Sequence, residues 1–246
     1  MQETDPLQKK IAEFAQAMQR YHARFFYRTF SLFASCFIVP AQLLTLCSLI
    51  MRPSPACLWG LLPYFLIIYL AADFINGLIH LYMDNNTDYC SPLGPFVAAF
   101  HLHHRQPRYR DLHPLKVYFY ESGGKFWLIP YLSVVLYCQW FQHLSFYADF
   151  FLTLFGILSS LAEVSHYWCH NAGEGQTVIR TLQKIRILLP EKHHAKHHVD
   201  DNTHYAFLNG VTDPLINFIA GKLCAGYRHH ADLHALAYMD RQTRNR

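Results

Sequence analysis

Long apolar runs alternate along this chain with short polar ones. Residues 30–51 carry no charged side chain, and Arg28 and Arg52 flank them. A second apolar run covers residues 57–82, broken only by Asp73. Residues 126–148 and 150–162 are again uncharged, with Asp149 between them. A helix needs about 20 apolar residues to cross a bilayer. The pattern therefore predicts about four membrane-spanning helices, the third returning through Phe141–Ser145 into a fourth that ends near His170. Pro40, Pro63 and Pro130 fall inside these runs, where neighbouring helices can satisfy the backbone groups a proline frees. Two further segments repeat at helical spacing. Leu7, Ile11, Phe14, Met18, Tyr21 and Phe25 follow Asp5-Pro6, an N-cap and first helical residue. Val178, Leu182, Ile185 and Leu189 share one face of residues 177–189, with Arg180 and Lys184 on another. Basic amphipathic helices beside membrane spans lie in the headgroup region or pack on the rest of the protein, and the pattern leaves both open.

The basic residues orient this layout. Lys9, Lys10, Arg20, Arg24 and Arg28 precede the first span, and only Arg52 separates the first from the second. Arg105, Arg108, Arg110, Lys116 and Lys125 lie between the second and third, none between the third and fourth, and ten more run from Arg180 to Arg246. Cytoplasmic loops carry the excess of Lys and Arg, so both termini and nearly all the polar chain are expected in the cytoplasm. The expected location is an inner membrane in a bacterium or the endoplasmic reticulum in a eukaryote. The first apolar run is long and follows an amphipathic segment, which does not resemble a cleavable signal. The expected division is an amphipathic helix over residues 1–28, a membrane domain over 29–223 and a tail over 224–246.

Composition narrows the class. Apolar residues make up 52% and charged residues 15%, against about 25% charged in a soluble domain. That balance argues against disorder, a coiled coil and nucleic-acid binding. The seven cysteines form no C-x-x-C and lie mostly in apolar stretches, so they read as reduced packing residues. No H-E-x-x-H or G-x-S-x-G is present, which disfavours a zinc protease and a serine hydrolase. Ser122-Gly-Gly-Lys125 and Gly173-Glu-Gly175 read as turns.

The unusual count is 17 histidines, 12 of them gathered in four clusters at or after the ends of the predicted spans. The second span closes with Asp73, Gly77, His80 and Asp84, spaced 4, 3 and 4 and so on one helix face. The next loop carries His101, His103, His104 and, further on, His113. The fourth span closes with Glu163, His166 and His170, two imidazoles one helical turn apart. His193, His194, His197 and His198 come last, followed by His204. All four clusters emerge on the same expected face. One zinc takes three or four ligands. His80, His103, His104, His166, His170, His194, His197 and His198 supply eight, enough for two metals, with His113, His193 and His204 to spare. The clusters hold no set of cysteines, which disfavours an iron–sulfur cluster. A nitrogen-rich site for two irons at a membrane face points to O₂ chemistry on a lipid C–H bond. His22, His143, His229, His230 and His234 lie outside the clusters and read as structural or surface residues; His101 stays unassigned.

The motifs resemble a known family. In order they run D-F-x-x-G-x-x-H, F-x-x-H-H, H-x-W-x-H and L-P-x-K-H-H-x-x-H-H-V, spread over roughly residues 60–223. They are similar to the lipid desaturases that include plasmanylethanolamine desaturase (the Kua and CarF proteins) and the plastid trans-palmitate desaturase. The resemblance implies an all-α membrane enzyme in which the eight histidines bind two irons. It also implies that O₂ and electrons from a small carrier put a double bond into an acyl or alkyl chain. His113 matches a histidine of the plasmanyl branch, and His193 lies in the last motif. Asp73 and Asp84 are expected either as further metal ligands or, since metal-bound histidine usually gives its other N–H to a carboxylate or carbonyl, as residues that orient imidazoles. Glu163 is expected beside His166, as a ligand or a partner of that ring, or in water, and His204 as an extra ligand or a partner of a ligand ring. Gln106-Pro107 and Pro114 depart from the plasmanyl branch, and Asn202-Thr-His204-Tyr205 leans toward the plastid one. No H-P-G-G of a fused donor is present, so a separate cytochrome b5-type or ferredoxin-type donor is expected. The chain of the lipid substrate is expected between the second and fourth spans, its headgroup near the basic loops. A hydroxylase on the same ligands, and a histidine-rich metal transporter or storage protein, remain open.

Overall fold

The computed structural model describes residues 5–53, 58–106, 112–120, 123–142, 144–171 and 176–244. Arg108, Arg110, Arg246, Cys57, Pro107, Ser122, His143 and residues 173–175, each given a reading above, lie outside the described residues. Among the described residues every regular element is helical. In chain order these are α1 (Pro6–Ala23), α2 (Phe25–Ile50), α3 (Leu61–Asn85), α4 (Gly94–His101), α5 (Pro114–Tyr120), α6 (Leu128–Phe141), α7 (Phe146–Ser160), α8 (Ala162–Asn171), α9 (Thr177–Lys184), α10 (Glu191–Val199), α11 (Asp213–Leu223) and α12 (Ala231–Arg244).

Three helical stretches are long and apolar enough to cross a membrane. They are α2, α3 and the continuous run of α7 and α8, with mean hydropathies of 2.0, 1.7 and 1.4. Phe33, Phe37, Leu43 and Leu44 of α2 and Leu62, Phe65, Leu66 and Ile67 of α3 all face outward. A soluble monomer rarely exposes so continuous an apolar surface. The remaining expected span forms α6, with 14 residues after the 3-10 turn Gly123–Trp127. At 1.5 Å per residue it measures about 21 Å, short of the roughly 30 Å hydrocarbon core. It nevertheless packs lengthwise on α2, with Ala34, Ile38 and Ala41 against Leu128 and Leu132.

These helices share two ends. At one, the tail of α2, the tail of α6 and the head of α7 meet around Arg52. Its guanidinium lies 2.6 Å from the fully buried Asp149 and donates to the carbonyls of Leu144 and Gln139. Gln139 donates in turn to Thr153. At the other end, the tails of α3 and α8 meet α4, α10 and the loop that leads into α11. So α3 and α7–α8 run side by side in the same direction, and the histidines at their C-terminal ends arrive together. Gly77 lets α11 and the loop before it lie close on α3: a Cβ there would stand 2.4 Å from Ile216 Cδ1 and 3.3 Å from Ala206 Cα.

The two amphipathic segments end differently. Asp5 Oδ1 accepts the Leu7 amide at the start of α1, as the sequence predicts. The apolar face of α1 is covered by protein, with Phe14, Ala17 and Met18 buried against Met83, Tyr89, Val97 and Ala235. In α9 the apolar Val178 is exposed and only Gln183 is buried. All six described cysteines are free. Only Cys169 is buried, while Cys36, Cys47 and Cys90 are exposed, so packing does not account for most of them.

A buried carboxylate stripped of its cation costs about 3–5 kcal/mol, whereas replacing both partners with apolar groups is close to neutral. Arg52→Met is therefore expected to lower the unfolding temperature sharply in detergent. Asp149→Leu added to it should recover most of the loss, leaving only the Leu144 and Gln139 carbonyls short of a donor. An Arg52→Met protein as stable as wild type would show that the pair does not hold this end together.

Candidate metal centre

Eight imidazoles from four segments converge at the end where α3 and α8 finish. They form two groups, His80, His103, His104 and His197, and His166, His170, His194 and His198. Within each group one nitrogen per ring lies within 4.8 Å of all the others. The groups adjoin. Ring centroids stand 5.2 Å apart for His103 and His166, 5.0 Å for His104 and His198, and 5.5 Å for His197 and His198.

Helical spacing builds the second group. His166 and His170 are one turn apart on α8, and His194 and His198 one turn apart on α10. Their Nε2 atoms close on one another. The separations are 3.0 Å from His166 to His194, 3.1 Å from His170 to both His166 and His194, and 2.9 Å from His194 to His198. Nitrogens held about 2.0–2.1 Å from one ion lie about 2.9 Å apart at right angles and about 3.3 Å at tetrahedral angles. The cluster thus has the dimensions of a metal's inner sphere.

The first group shows why the rings point this way. His80 Nδ1 lies 2.8 Å from the Tyr205 carbonyl, His103 Nδ1 2.6 Å from that of Phe100, and His197 Nδ1 2.8 Å from that of Thr203. A carbonyl only accepts, so each Nδ1 carries the hydrogen and each neutral Nε2 keeps a lone pair. The Nε2 atoms of His80, His103, His104 and His197 are all buried with no hydrogen-bond partner. Buried polar atoms are normally paired. A divalent cation fits four such lone pairs. Burial holds His103 and His194 well below the ordinary histidine range and His104 near 4, so these rings are neutral at pH 7.

Asp84 belongs among these nitrogens, not behind them. Its Oδ2 lies 3.1 Å from His80 Nε2 and 3.2 Å from His197 Nε2, and its Oδ1 3.1 Å from His104 Nε2. It faces the ion-binding side of three rings and could supply an oxygen ligand. Of the two expectations for Asp84, this geometry favours that of a ligand over that of a residue orienting imidazoles from behind. Both expectations for Asp73 are corrected. Its Oδ1 accepts from the amides of Leu208, Asn209 and Gly210, and its Oδ2 from the amide and hydroxyl of Thr212. It holds a loop, not a ring. Glu163 is buried and lies 3.5 Å from His166 Nδ1, so it is not in water. His193 and His204 join neither group. His193 Nε2 pairs with Asp213 at 2.5 Å, and His204 packs its ring on His193. His113 is exposed, and its Nδ1 accepts the Leu115 amide at the start of α5.

Several residues escape sequence reasoning. Phe207 lies with its ring centroid 4.2 Å from that of His80 and 4.5 Å from that of His166, touching both groups. Asp232, in the expected tail, faces His104. His101, left unassigned, and His234, read as structural or surface, are both buried on either side of Tyr89. No ligand spacing marks any of them.

An apolar cavity of about 610 Å³ lies between α3 and α7–α8. Phe65, Tyr69, Leu161, Trp168 and Leu208 line it, and Arg186 stands among its lining residues. A second cavity shares Leu62 and Phe65 with it and continues to Trp59 at the start of α3.

The chain thus joins apolar helices of membrane-crossing length to two histidine groups that could each hold a metal ion. The chain is a member of the lipid desaturase domain family, whose model matches residues 69–220. It is also 28% identical over 148 residues to plasmanylethanolamine desaturase 1 of Mus musculus. That alignment covers 55% of this chain and 52% of the mouse protein, so the chain spans about half the length of this curated relative. No solved structure matches the chain.

Asp73 supports five donors in a buried loop, and each buried donor left without an acceptor costs about 1–3 kcal/mol. Asp73→Ala is expected to destabilise the fold by at least about 3 kcal/mol, read as thermal unfolding of the metal-free protein. Wild-type stability in that variant would mean the loop 208–212 does not depend on Asp73.

Proposed function

We propose that this protein is a membrane lipid desaturase whose eight histidines hold two irons and which puts a double bond into an acyl or alkyl chain. The reaction would take a –CH₂–CH₂– unit, O₂, two electrons and two protons to –CH=CH– and two waters. The convergence of two four-imidazole groups beside one apolar groove carries the reading. Iron held there supplies the means to reduce O₂ and break an unactivated C–H bond, which amino-acid side chains alone do not.

The chain's own residues orient, shield and bind. The carbonyls of Tyr205, Phe100 and Thr203 fix three rings with Nε2 inward. Phe207 covers His80 and His166 with an apolar face, and its neighbour Leu208 turns toward the groove. Such a wall keeps water from the reactive centre. The groove runs along α3 with membrane-exposed residues beside it, so a lipid tail can enter sideways from the bilayer. Arg186 is exposed at the groove and suits a headgroup phosphate. The mouse relative's name points to an ethanolamine ether lipid as the first substrate to test.

The membrane layout follows the same reading. We take α2, α3, α6 and α7–α8 as the four spans, with the histidine end and both termini in the cytoplasm. Electrons would come from a separate cytochrome b5-type or ferredoxin-type carrier. Against transport or storage stands the gathering of the rings at one end instead of along a path through the helices.

Lipid mass spectrometry of cells with and without the gene tests the reading. A lipid two hydrogens lighter is expected only with the wild-type gene. It should fall to background with His197→Ala, while that variant still enters the membrane. A hydroxylated lipid without a new double bond would assign a hydroxylase. Metal flux into vesicles with no lipid product under O₂ and reductant would replace the enzyme reading with transport.

A further inference from the structure

His104 is the exception in the first group. Backbone carbonyls of residues 100, 203 and 205 back the other three rings. His104 Nδ1 instead faces a side chain, Asp232 Oδ1, at 3.5 Å. Asp232 sits in the first turn of α12 and is only 7% exposed. Its other oxygen faces Arg105 Nη2 at 3.5 Å. The same C-terminal segment touches the group again. The Tyr227 ring stands edge-on to His104 at 4.4 Å, and its hydroxyl donates to the His197 carbonyl.

The base that carries Asp232 is tied to α3 and α4 by hydrogen bonds. His101 Nε2 lies 2.8 Å from the Met83 carbonyl and therefore carries the hydrogen. Neutral His101 then offers only a lone pair at Nδ1, so the Tyr89 hydroxyl, 3.1 Å away, donates to it. His234 Nδ1, 2.9 Å from the same hydroxyl, must in turn donate to Tyr89. A directed chain of hydrogen bonds thus runs from His234 of α12 to the carbonyl beside Asp84. Phe14 of α1 packs on both Tyr89 and His234.

We propose that Asp232 is a positioning residue of the metal centre: it accepts the Nδ1–H of His104, turns Nε2 toward the ion, and makes residues 224–244 part of the site. Those residues lie beyond the stretch that the family shares, which ends at residue 220. The proposal rests on the metal-centre reading above. A carboxylate behind a ligating imidazole fixes its tautomer and raises its basicity, and losing one typically weakens metal binding about 10–100-fold.

The test titrates Co²⁺ into the full-length, metal-free chain in detergent and follows the absorption of the bound ion. Wild type is expected to bind two ions. Asp232→Ala should weaken one of them about 10–100-fold and leave the other unchanged. Asp232→Asn keeps an acceptor oxygen without the charge, so it should lose several-fold at most and shift the Co²⁺ band. A role in packing alone would lower the stability of the metal-free protein and leave both affinities and the band untouched, overturning the proposal. Should Asp232→Ala not fold, an Asp232→Asn protein with wild-type affinities and band would overturn it equally. A wild-type chain that binds no Co²⁺ would overturn the metal-centre reading together with this one. Two wild-type ions with an unchanged Asp232→Ala titration would overturn only the role of Asp232.

Discussion

The structure turns on eight imidazole rings whose nitrogens crowd into two adjoining groups. Four Nε2 atoms of the second group stand 2.9–3.1 Å from their neighbours. Two imidazoles can hydrogen-bond only when one offers N–H and the other a lone pair. In the first group the backbone has already placed three hydrogens on the outer nitrogen, so the inner ones can only accept. A divalent cation fits the position that these inner nitrogens face. Much of the surrounding fold can be understood as the means of holding this arrangement in place.

Holding it requires two parallel helices that end together, and the fold meets that need at both ends. The Arg52–Asp149 pair ties α2 to α7, and Arg52's bonds to Gln139 and Leu144 bring in the end of α6. At the other end Asp73 gathers the amides of residues 208–210 and 212 onto α3. That loop sets Phe207 against His80 and His166. The lone carboxylate of Asp73 thus serves the metal groups at one remove, through backbone position. The two groups also differ in charge. Asp84 brings a carboxylate among the nitrogens of the first, while in the second the nearest carboxylate, Glu163, stands behind His166. The two groups are therefore electrostatically unequal, and an ion held by the first would meet the more negative set of ligands.

The sequence carries the helical character, the ends of the apolar runs and all eight clustered histidines. Each of these is a local property: a run of uncharged residues, or imidazoles at i and i+4 on one helix. What it hides is supplied by atoms that bear no residue signature. Carbonyls 100, 203 and 205 are backbone, and any side chain at those positions leaves them in place. Asp73 and Asp84 share a helix face and are indistinguishable by spacing, yet one meets a loop and the other meets three rings. The amphipathic pattern of α1 and that of α9 look alike, but only α1 finds a protein surface, because α12 folds back to meet it. The cysteines of α2 show the same limit from another direction. An apolar run does not mark which face is inside, and Cys36 and Cys47 fall on the exposed one.

The groove and the histidine cage are adjacent without merging, and that separation has a chemical meaning. No histidine of either group lines the larger cavity, whereas Leu208 and Ser165 do, one residue from Phe207 and His166 respectively. The groove and the nitrogens are thus served by neighbouring residues of the same two segments. On the proposed function, burying an apolar chain along the groove would supply the free energy that brings a C–H bond toward the centre. Phe207, packed on His80 and His166, would then shield the rings from water.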